Sequence, residues 1–489
     1  MYILNIILST TFYKPIFSFL INIFFKKCMK FISIVLLLFL FLSFAERQKD
    51  TFPNVIIIFA DDLAYADIAC FGANYPTPYL DKLAKEGMKF TDFYSQPQCS
   101  PSRAALLTGC YPQRVGIPWV VGPEGPAWTK DKYFVGLHPD EETLPELLKT
   151  KSYATACIGK WHLGHHSPHL PTKHGFDEFF GLPYSNDMYP LTPDGMWSDL
   201  PLIEGEKEIE KNPDQSLLTK RYTEKALNFI ESNKQKPFFL YLAHSMPHVP
   251  IFASKKFEGK SKKGLYADVI QEIDWSVGEI IKALKKHKLD DNTLIIFTSD
   301  NGAWLTYGNH AGSSGIFREG KGTTFEGGVR VPMIAWWKGK IPAGSTCNKV
   351  VGLIDILPTL AQITGAKLPN KAIDGKNFLP LLENNPQAKS PRDFHYFFQI
   401  HELQAIRQGK WKLHLPHTYE SVEKAGNDGQ RGKTIQKQIE LSLYDLEKDP
   451  SEQENLAKKY PEIVEKLKKE ALRFQEDLEK NKRPAGNSL

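Results

Sequence analysis

The chain has 489 residues, with 42% hydrophobic and 24% charged content. That is the balance of a globular protein with room for two or three domains, or for one large α/β domain with an appendage. Its 61 basic and 56 acidic residues leave a net charge of only +5, which excludes a dedicated nucleic-acid surface. The six cysteines, at 28, 70, 99, 110, 157 and 347, are too few for a disulfide scaffold, although an exported chain has room for one or two bridges. Cys70 and Cys110 flank the segment around Cys99 and are the pair to check.

Two apolar stretches open the chain: Met1 to Phe25, interrupted by Lys14, and Phe31 to Ala45, with Lys26-Lys27-Cys28-Met29-Lys30 between them. From Met29 onward the pattern is that of a secretory signal, with a basic start, an apolar core and a small residue before Glu46. Residues 1–45 are therefore expected to be a targeting segment cleaved near Ala45, with translation starting at Met29 and the mature protein periplasmic or secreted. The alternative is an uncleaved membrane anchor, because the first stretch is nearly long enough to span a bilayer. Cys28 precedes the apolar core and does not suit a lipoprotein signal.

Pro53 to Ala60 is a continuous apolar, β-branched run, as expected of a strand buried on both faces of a parallel sheet. Phe238 to Leu242 and Leu294 to Thr298 are of the same kind. Helical patterns lie between them at Pro78 to Gly87, Leu144 to Thr150, Thr219 to Asn233 and Ala267 to His287. This alternation predicts a large, mostly parallel α/β sandwich over residues 52–388. Asn384 to Pro391 has the composition of a linker. Beyond it, short strand-like pieces (His395 to Ile400, Gln404 to Gln408, Trp411 to Leu415, Leu443 to Leu446) precede a helix. Val464, Leu467, Ala471, Phe474 and Leu478 form that helix's apolar stripe. Residues 391–489 are expected to form a small antiparallel sheet with this helix packed on it.

The first buried run ends in Asp61-Asp62 and the Leu294 run ends in Asp300-Asn301. Ligands bind at the carboxyl ends of strands in open α/β sheets, and adjacent carboxylates repel unless a cation or strong donors offset them. Either pair alone reads as a helix cap or a turn. Together they make an all-oxygen site suited to Ca²⁺ in preference to Mg²⁺, and not to a softer metal. Lys160 and His162, in Gly159-Lys-Trp-His-Leu-Gly164, place an anion-holding cation and a proton carrier on one loop. His248 follows the Phe238 strand and is preferred to the neighbouring His244. Lys321 lies between glycines in Gly320 to Gly328, where the backbone can approach a ligand closely.

The run Cys99-Ser-Pro-Ser-Arg-Ala-Ala-Leu-Leu-Thr-Gly109 resembles the maturation signature of type I sulfatases. The other stretches resemble the same family, within the alkaline phosphatase superfamily, in its order across nearly all of residues 52–460. They are Phe59 to Asp62, Gly159 to Gly164, Pro247 to Pro250, Ser299 to Gly302, Gly320 to Gly328 and Tyr444 to Pro450. Gly181 to Asp187 looks like the arylsulfatase A branch, where the serine at 185 helps line the sulfate site. The resemblance implies that a formylglycine-generating enzyme oxidises Cys99 to formylglycine, whose hydrated aldehyde is the nucleophile; a plain thiol is poor at this task. Asp61, Asp62, Asp300 and Asn301 would bind Ca²⁺, which polarises the sulfate oxygens, and Asp300 would help deprotonate the nucleophile. Arg103 and Lys160 would hold the formylglycine and offset developing charge. Lys321 and His248 would bind sulfate and protonate the leaving alcohol, and His162 would take the proton whose removal expels sulfate from the covalent sulfoenzyme intermediate.

The sequence therefore predicts an exported hydrolase of sulfate esters, with a sulfated polysaccharide or glycosaminoglycan preferred over an aryl sulfate as substrate. A phosphodiesterase or phosphonate hydrolase, and a silent binder of sulfated glycans, are the alternatives. Leaving-group specificity is expected in four loops: Trp119 to Trp128, His165 to His174, Asp187 to Trp197 and Trp304 to Phe317.

Overall fold

The computed structural model describes residues 19–27, 29–31, 33, 52–126, 134–190 and 197–488. The expected apolar core and cleavage point of the targeting segment, at 34–45, lie outside them. The chain divides into two units, through Thr51 and from Phe52 onward. In the first, residues 19–27 and 29–31 are helical and exposed. No helix among the described residues is long and apolar enough to cross a membrane.

The second unit is built on an eleven-stranded sheet. At its centre Asn54–Ala60 lies between Phe238–Ala243 and Thr293–Ser299, parallel to both, and Ala154–Gly159 and Glu178–Gly181 extend the parallel set. The apolar runs predicted at Pro53, Phe238 and Leu294 are thus three adjacent strands, each buried along its whole length. Alternation assigns their two faces to separate cores. Val55, Ile57 and Phe59 pack with the helices Cys99–Thr108, Leu144–Lys149 and Ile356–Thr364. Ile56, Ile58 and Ala60 pack with Pro78–Glu86, Leu218–Asn233 and Leu265–Lys286. Antiparallel pairing brings in Arg330–Trp336 and then Met88–Tyr94 on one side, where Ser345–Cys347 and Val351–Gly352 pair parallel to Met88–Tyr94 as the edge. Pro201–Glu204 and Lys207–Lys211 close the other side antiparallel.

The C-terminal region is a four-stranded antiparallel sheet of His395–Gln399, Glu402–Gln408, Trp411–His414 and Ser442–Asp445. The helix Pro461–Asn481 is docked on it through the five residues of the predicted stripe, all buried. Phe474 stacks on Tyr396 at 3.7 Å between centroids. A polar hairpin that the sequence reading did not anticipate, His417–Lys424 with Lys433–Ile439, stands apart as its own two-stranded ribbon. Cys70, Cys99, Cys110, Cys157 and Cys347 are all free thiols, so the Cys70–Cys110 bridge is not formed. The Cys110 thiol contacts the Arg483 guanidinium instead.

Leu467 is fully buried at the middle of the terminal helix's stripe. Leu467→Ala is expected to cost about 2–5 kcal/mol of stability, read as a shift of the denaturant midpoint at unchanged m-value.

Candidate active site

The site forms where the carboxyl ends of the central strands meet the amino end of a buried helix. Asn54–Ala60 delivers Asp61 and Asp62, and Thr293–Ser299 delivers Asp300 and Asn301. One carboxylate oxygen from each of Asp61, Asp62 and Asp300 lies within 4.8 Å of the others. All three residues are buried, so their mutual repulsion is little screened. Asp62 is held at φ 63°, and its amide donates to Asp300 Oδ1 at 3.0 Å.

Three cations answer this charge. Arg103, four residues into the Cys99–Thr108 helix, donates to Asp300 Oδ2 at 2.9 Å and to the Lys160 carbonyl at 2.8 Å. Lys160 donates to Asp61 Oδ2, and to Ser185 Oγ at 3.1 Å. Lys321 donates to Asp62 Oδ2 at 2.9 Å and lies 4.4 Å from the centre of the Trp304 ring. Burial would raise the Asp61 carboxyl, but Lys160, His248 and Arg103 outweigh it and hold it well below the usual range. Asp300 goes the other way, to about 8, because burial and the Asp61 charge outweigh Arg103. The Lys321 ammonium is held above its ordinary value by Asp62 despite burial.

Cys99 opens its helix and is 2% exposed. Pro101 falls in the first turn, where its missing N–H costs nothing. Ser102 donates to the Asp300 carbonyl and accepts from the Gln96 amide at 3.0 Å, pinning this turn to the loop that carries Asp300 and Asn301. Burial pushes the Cys99 thiol to about 11, so as an unmodified side chain it is a protonated, weak nucleophile.

The two sequence-selected histidines are both in place. His162 sits at φ 63° on the loop after Ala154–Gly159, fully buried, and neither ring nitrogen has a hydrogen-bond partner among the described residues. Burial, then Lys160 and Arg103, hold it well below the usual histidine range and keep the imidazole neutral. Gly159, at φ +113°, allows this loop to pass the neighbouring strand: an added Cβ would stand 1.8 Å from the Ala243 carbonyl oxygen. His248 donates from Nδ1 to the Val249 carbonyl at 2.6 Å, which turns Nε2 toward Ser185 Oγ at 3.5 Å and Asp62 Oδ2 at 3.7 Å. His244 is buried against Tyr222 instead.

The donor set fits a hard divalent cation. Asp61 Oδ1 and Asn301 Oδ1 are buried with no hydrogen-bond partner among the described residues. Ca²⁺–oxygen distances of about 2.3–2.6 Å match carboxylates spaced this closely. Asp61, Cys99 and His248 also converge, but a protonated thiol is a poor ligand.

The cluster opens into a cavity of about 440 Å³. Of the four loops expected to set specificity, three reach it, through Val120, through Asp187 and Met188, and through Trp304 to Thr306; no residue of 165–174 lines it. The hairpin and Gln404 supply the opposite wall. No signal in the sequence marked that ribbon: Lys433–Ile439 is mostly exposed, and the buried positions of His417–Lys424 are His417, Tyr419 and Ser421, which make no apolar alternation.

A parallel-sheet α/β fold with carboxylates, lysines and imidazoles converging at its strand ends defines a hydrolase of tetrahedral anionic esters. The sulfatase family matches residues 53–366, and the C-terminal region of aryl-sulfatase matches residues 390–488. The chain is 40% identical to N-acetylgalactosamine-6-sulfatase of Mus musculus over 376 residues, 74% of this chain and 72% of that one. It is 38% identical to arylsulfatase A of Bos taurus over 456 residues, 87% of each. The crystal structure of the PsFucS1 sulfatase from Pseudoalteromonas sp. superposes with a TM-score of 0.80 at 29% identity, covering 91% of this chain and 94% of that one. The chain belongs to the sulfatase family and is a sulfuric ester hydrolase.

Lys160→Met is expected to lower turnover about 10²–10³-fold and to cost about 3–5 kcal/mol, because Asp61 loses its nearest cation while still buried. Steady-state kinetics and urea unfolding on one preparation check both.

Proposed function

We propose that this chain is an exported sulfatase acting on a sulfated glycan, with Cys99 matured to formylglycine and Ca²⁺ held by Asp61, Asp62, Asp300 and Asn301. The observation that carries this reading is the convergence of Cys99 with two imidazoles, three buried cations and three buried carboxylates at the floor of one cavity. Amide and hydroxyl groups along the cavity, with Trp304 at its side, suit a sugar ring better than a small aryl group. The N-acetylgalactosamine-6-sulfatase relative supports an ester on a sugar.

The bound cation supplies Lewis-acid polarisation of the sulfate oxygens. A maturation enzyme oxidises Cys99, and the hydrated aldehyde supplies the attacking hydroxyl. Asp300, beside Arg103, would receive that hydroxyl's proton, since a cation held by its carboxylate would keep it ionised against the effect of burial. Lys160 and Arg103 hold position 99 and offset negative charge. Lys321 holds a sulfate oxygen, while His248, steered by Val249, presents Nε2 to the leaving alcohol. Ser185, bonded to Lys160, lines the sulfate position. His162 takes the last proton, and its neutral state suits that role. Export follows from the Met29 to Ala45 pattern, and contact with a membrane would be only through an uncleaved N-terminal segment.

Co-expression with a formylglycine-generating enzyme is expected to convert the tryptic peptide Phe90–Arg103 to an aldehyde that reacts with a hydrazide. An intact thiol, with a control sulfatase matured in parallel, would overturn the proposed nucleophile. Chelation is expected to abolish turnover and lower the melting temperature, with Ca²⁺ restoring both better than Mg²⁺. Phosphate-ester turnover exceeding sulfate-ester turnover would move the reading to a phosphoesterase.

A further inference from the structure

The cavity extends outward from the reacting centre along Trp304. This ring touches His248 at 5.5 Å between centroids and carries the Lys321 ammonium at 4.4 Å. It also carries a second cation, the Arg431 guanidinium, at 5.7 Å. The two positive groups therefore stand no more than about 10 Å apart across one indole, a spacing matched to substituents on neighbouring sugars. Arg431 belongs to the turn of the polar hairpin, and that turn is fixed in place. The amides of Gly426 and Gly432 both donate to the Thr306 carbonyl, at 2.9 and 2.8 Å. Asn309 and Asp428 exchange two further hydrogen bonds of 2.7 Å.

Arg431 has one carboxylate partner, Glu420 at 3.3 Å, and both side chains are about half exposed, at 51% and 44%. An exposed pair of this kind contributes little and exchanges readily for another anion. The guanidinium, planar and set over an aromatic ring, suits a sulfate or a carboxylate. Resting on the sulfatase reading above, we propose that Arg431, backed by Trp304 and held in reserve by Glu420, binds a second anionic group of the substrate. The preferred substrate is then a polyanionic glycan with an acidic substituent on the sugar next to the one that loses its sulfate.

The test compares kcat/KM for three matured, Ca²⁺-loaded proteins: wild type, Arg431→Gln and Glu420→Gln. The substrates are 4-nitrophenyl sulfate, a disulfated disaccharide, and a monosulfated disaccharide bearing a uronate. Arg431→Gln is expected to lower the disaccharide-to-aryl ratio about tenfold, the loss of one charge-assisted contact. Glu420→Gln is expected to raise it severalfold, because the guanidinium loses its internal competitor. A loss confined to the disulfated substrate identifies sulfate as the recognised group, and a loss confined to the uronate identifies carboxylate. A ratio within twofold of wild type in both variants overturns the proposal. Wild-type inactivity on all three esters overturns the sulfatase reading, and this proposal with it.

Discussion

Three buried carboxylates at the ends of two adjacent strands are the constraint that the rest of this structure answers. Left alone, Asp61, Asp62 and Asp300 would repel one another strongly inside the protein. Their compensation comes from Arg103 on a helix, Lys160 on the loop after Ala154–Gly159, and Lys321 on a glycine-rich loop far along the chain. None of these segments is a sequence neighbour of another. The charge cluster therefore acts as a point of assembly for the fold as well as for the chemistry, and the sheet's strand order makes it geometrically accessible.

A second buried ionic network joins the C-terminal sheet to the catalytic sheet. Asp92, Glu326 and Glu452 are met by Arg330, Arg407 and Lys412, all of them buried. Lys412, from the small sheet, donates to Glu326 at 2.8 Å and to the Thr324 carbonyl at 2.7 Å. Both acceptors sit on the loop that carries Lys321. Buried pairs are weak evidence for net stability, but losing one partner is costly. The C-terminal sheet thus holds the loop that carries Lys321 through Lys412 and through Gln404, which accepts from Thr324 Oγ1 at 3.1 Å, and it belongs to one compact unit with the catalytic sheet.

Much of this was legible in the sequence, for identifiable reasons. Strands buried on both faces must be continuous apolar runs, so Asn54–Ala60, Phe238–Ala243 and Thr293–Ser299 showed themselves. The acidic residues that follow two of them stood out against that background. The terminal helix was readable because its stripe meets a single surface. Met88–Tyr94 was not read as a strand, because its Lys89 and Asp92 interrupt the apolar pattern to serve contacts that only the folded chain creates. The hairpin beside the cavity was invisible for a stronger reason. Lys433–Ile439 is mostly exposed, and the inward positions of its partner strand are His417, Tyr419 and Ser421, so no apolar periodicity marks a ribbon whose turn is held by backbone bonds to Thr306. The sequence favours His248 over His244, and the folded chain adds the physical distinction: the Val249 carbonyl orients the first, while the second is buried against Tyr222.

The hairpin's isolation from the four-stranded sheet has an evolutionary consequence. Catalytic groups rise from strands whose every position is packed, where almost any change disturbs the centre. The ribbon is a two-stranded appendage whose side chains are mostly free of core duties, so its composition can drift at little cost to folding. Its turn is restricted, because an added Cβ at Gly426 would stand 1.8 Å from the Gln430 carbonyl oxygen, and so are the inward-facing Tyr419 and Ile439. If Arg431 reads the substrate as proposed, a lineage could vary recognition by exchanging the ribbon's solvent-facing side chains, leaving the strand-borne centre untouched.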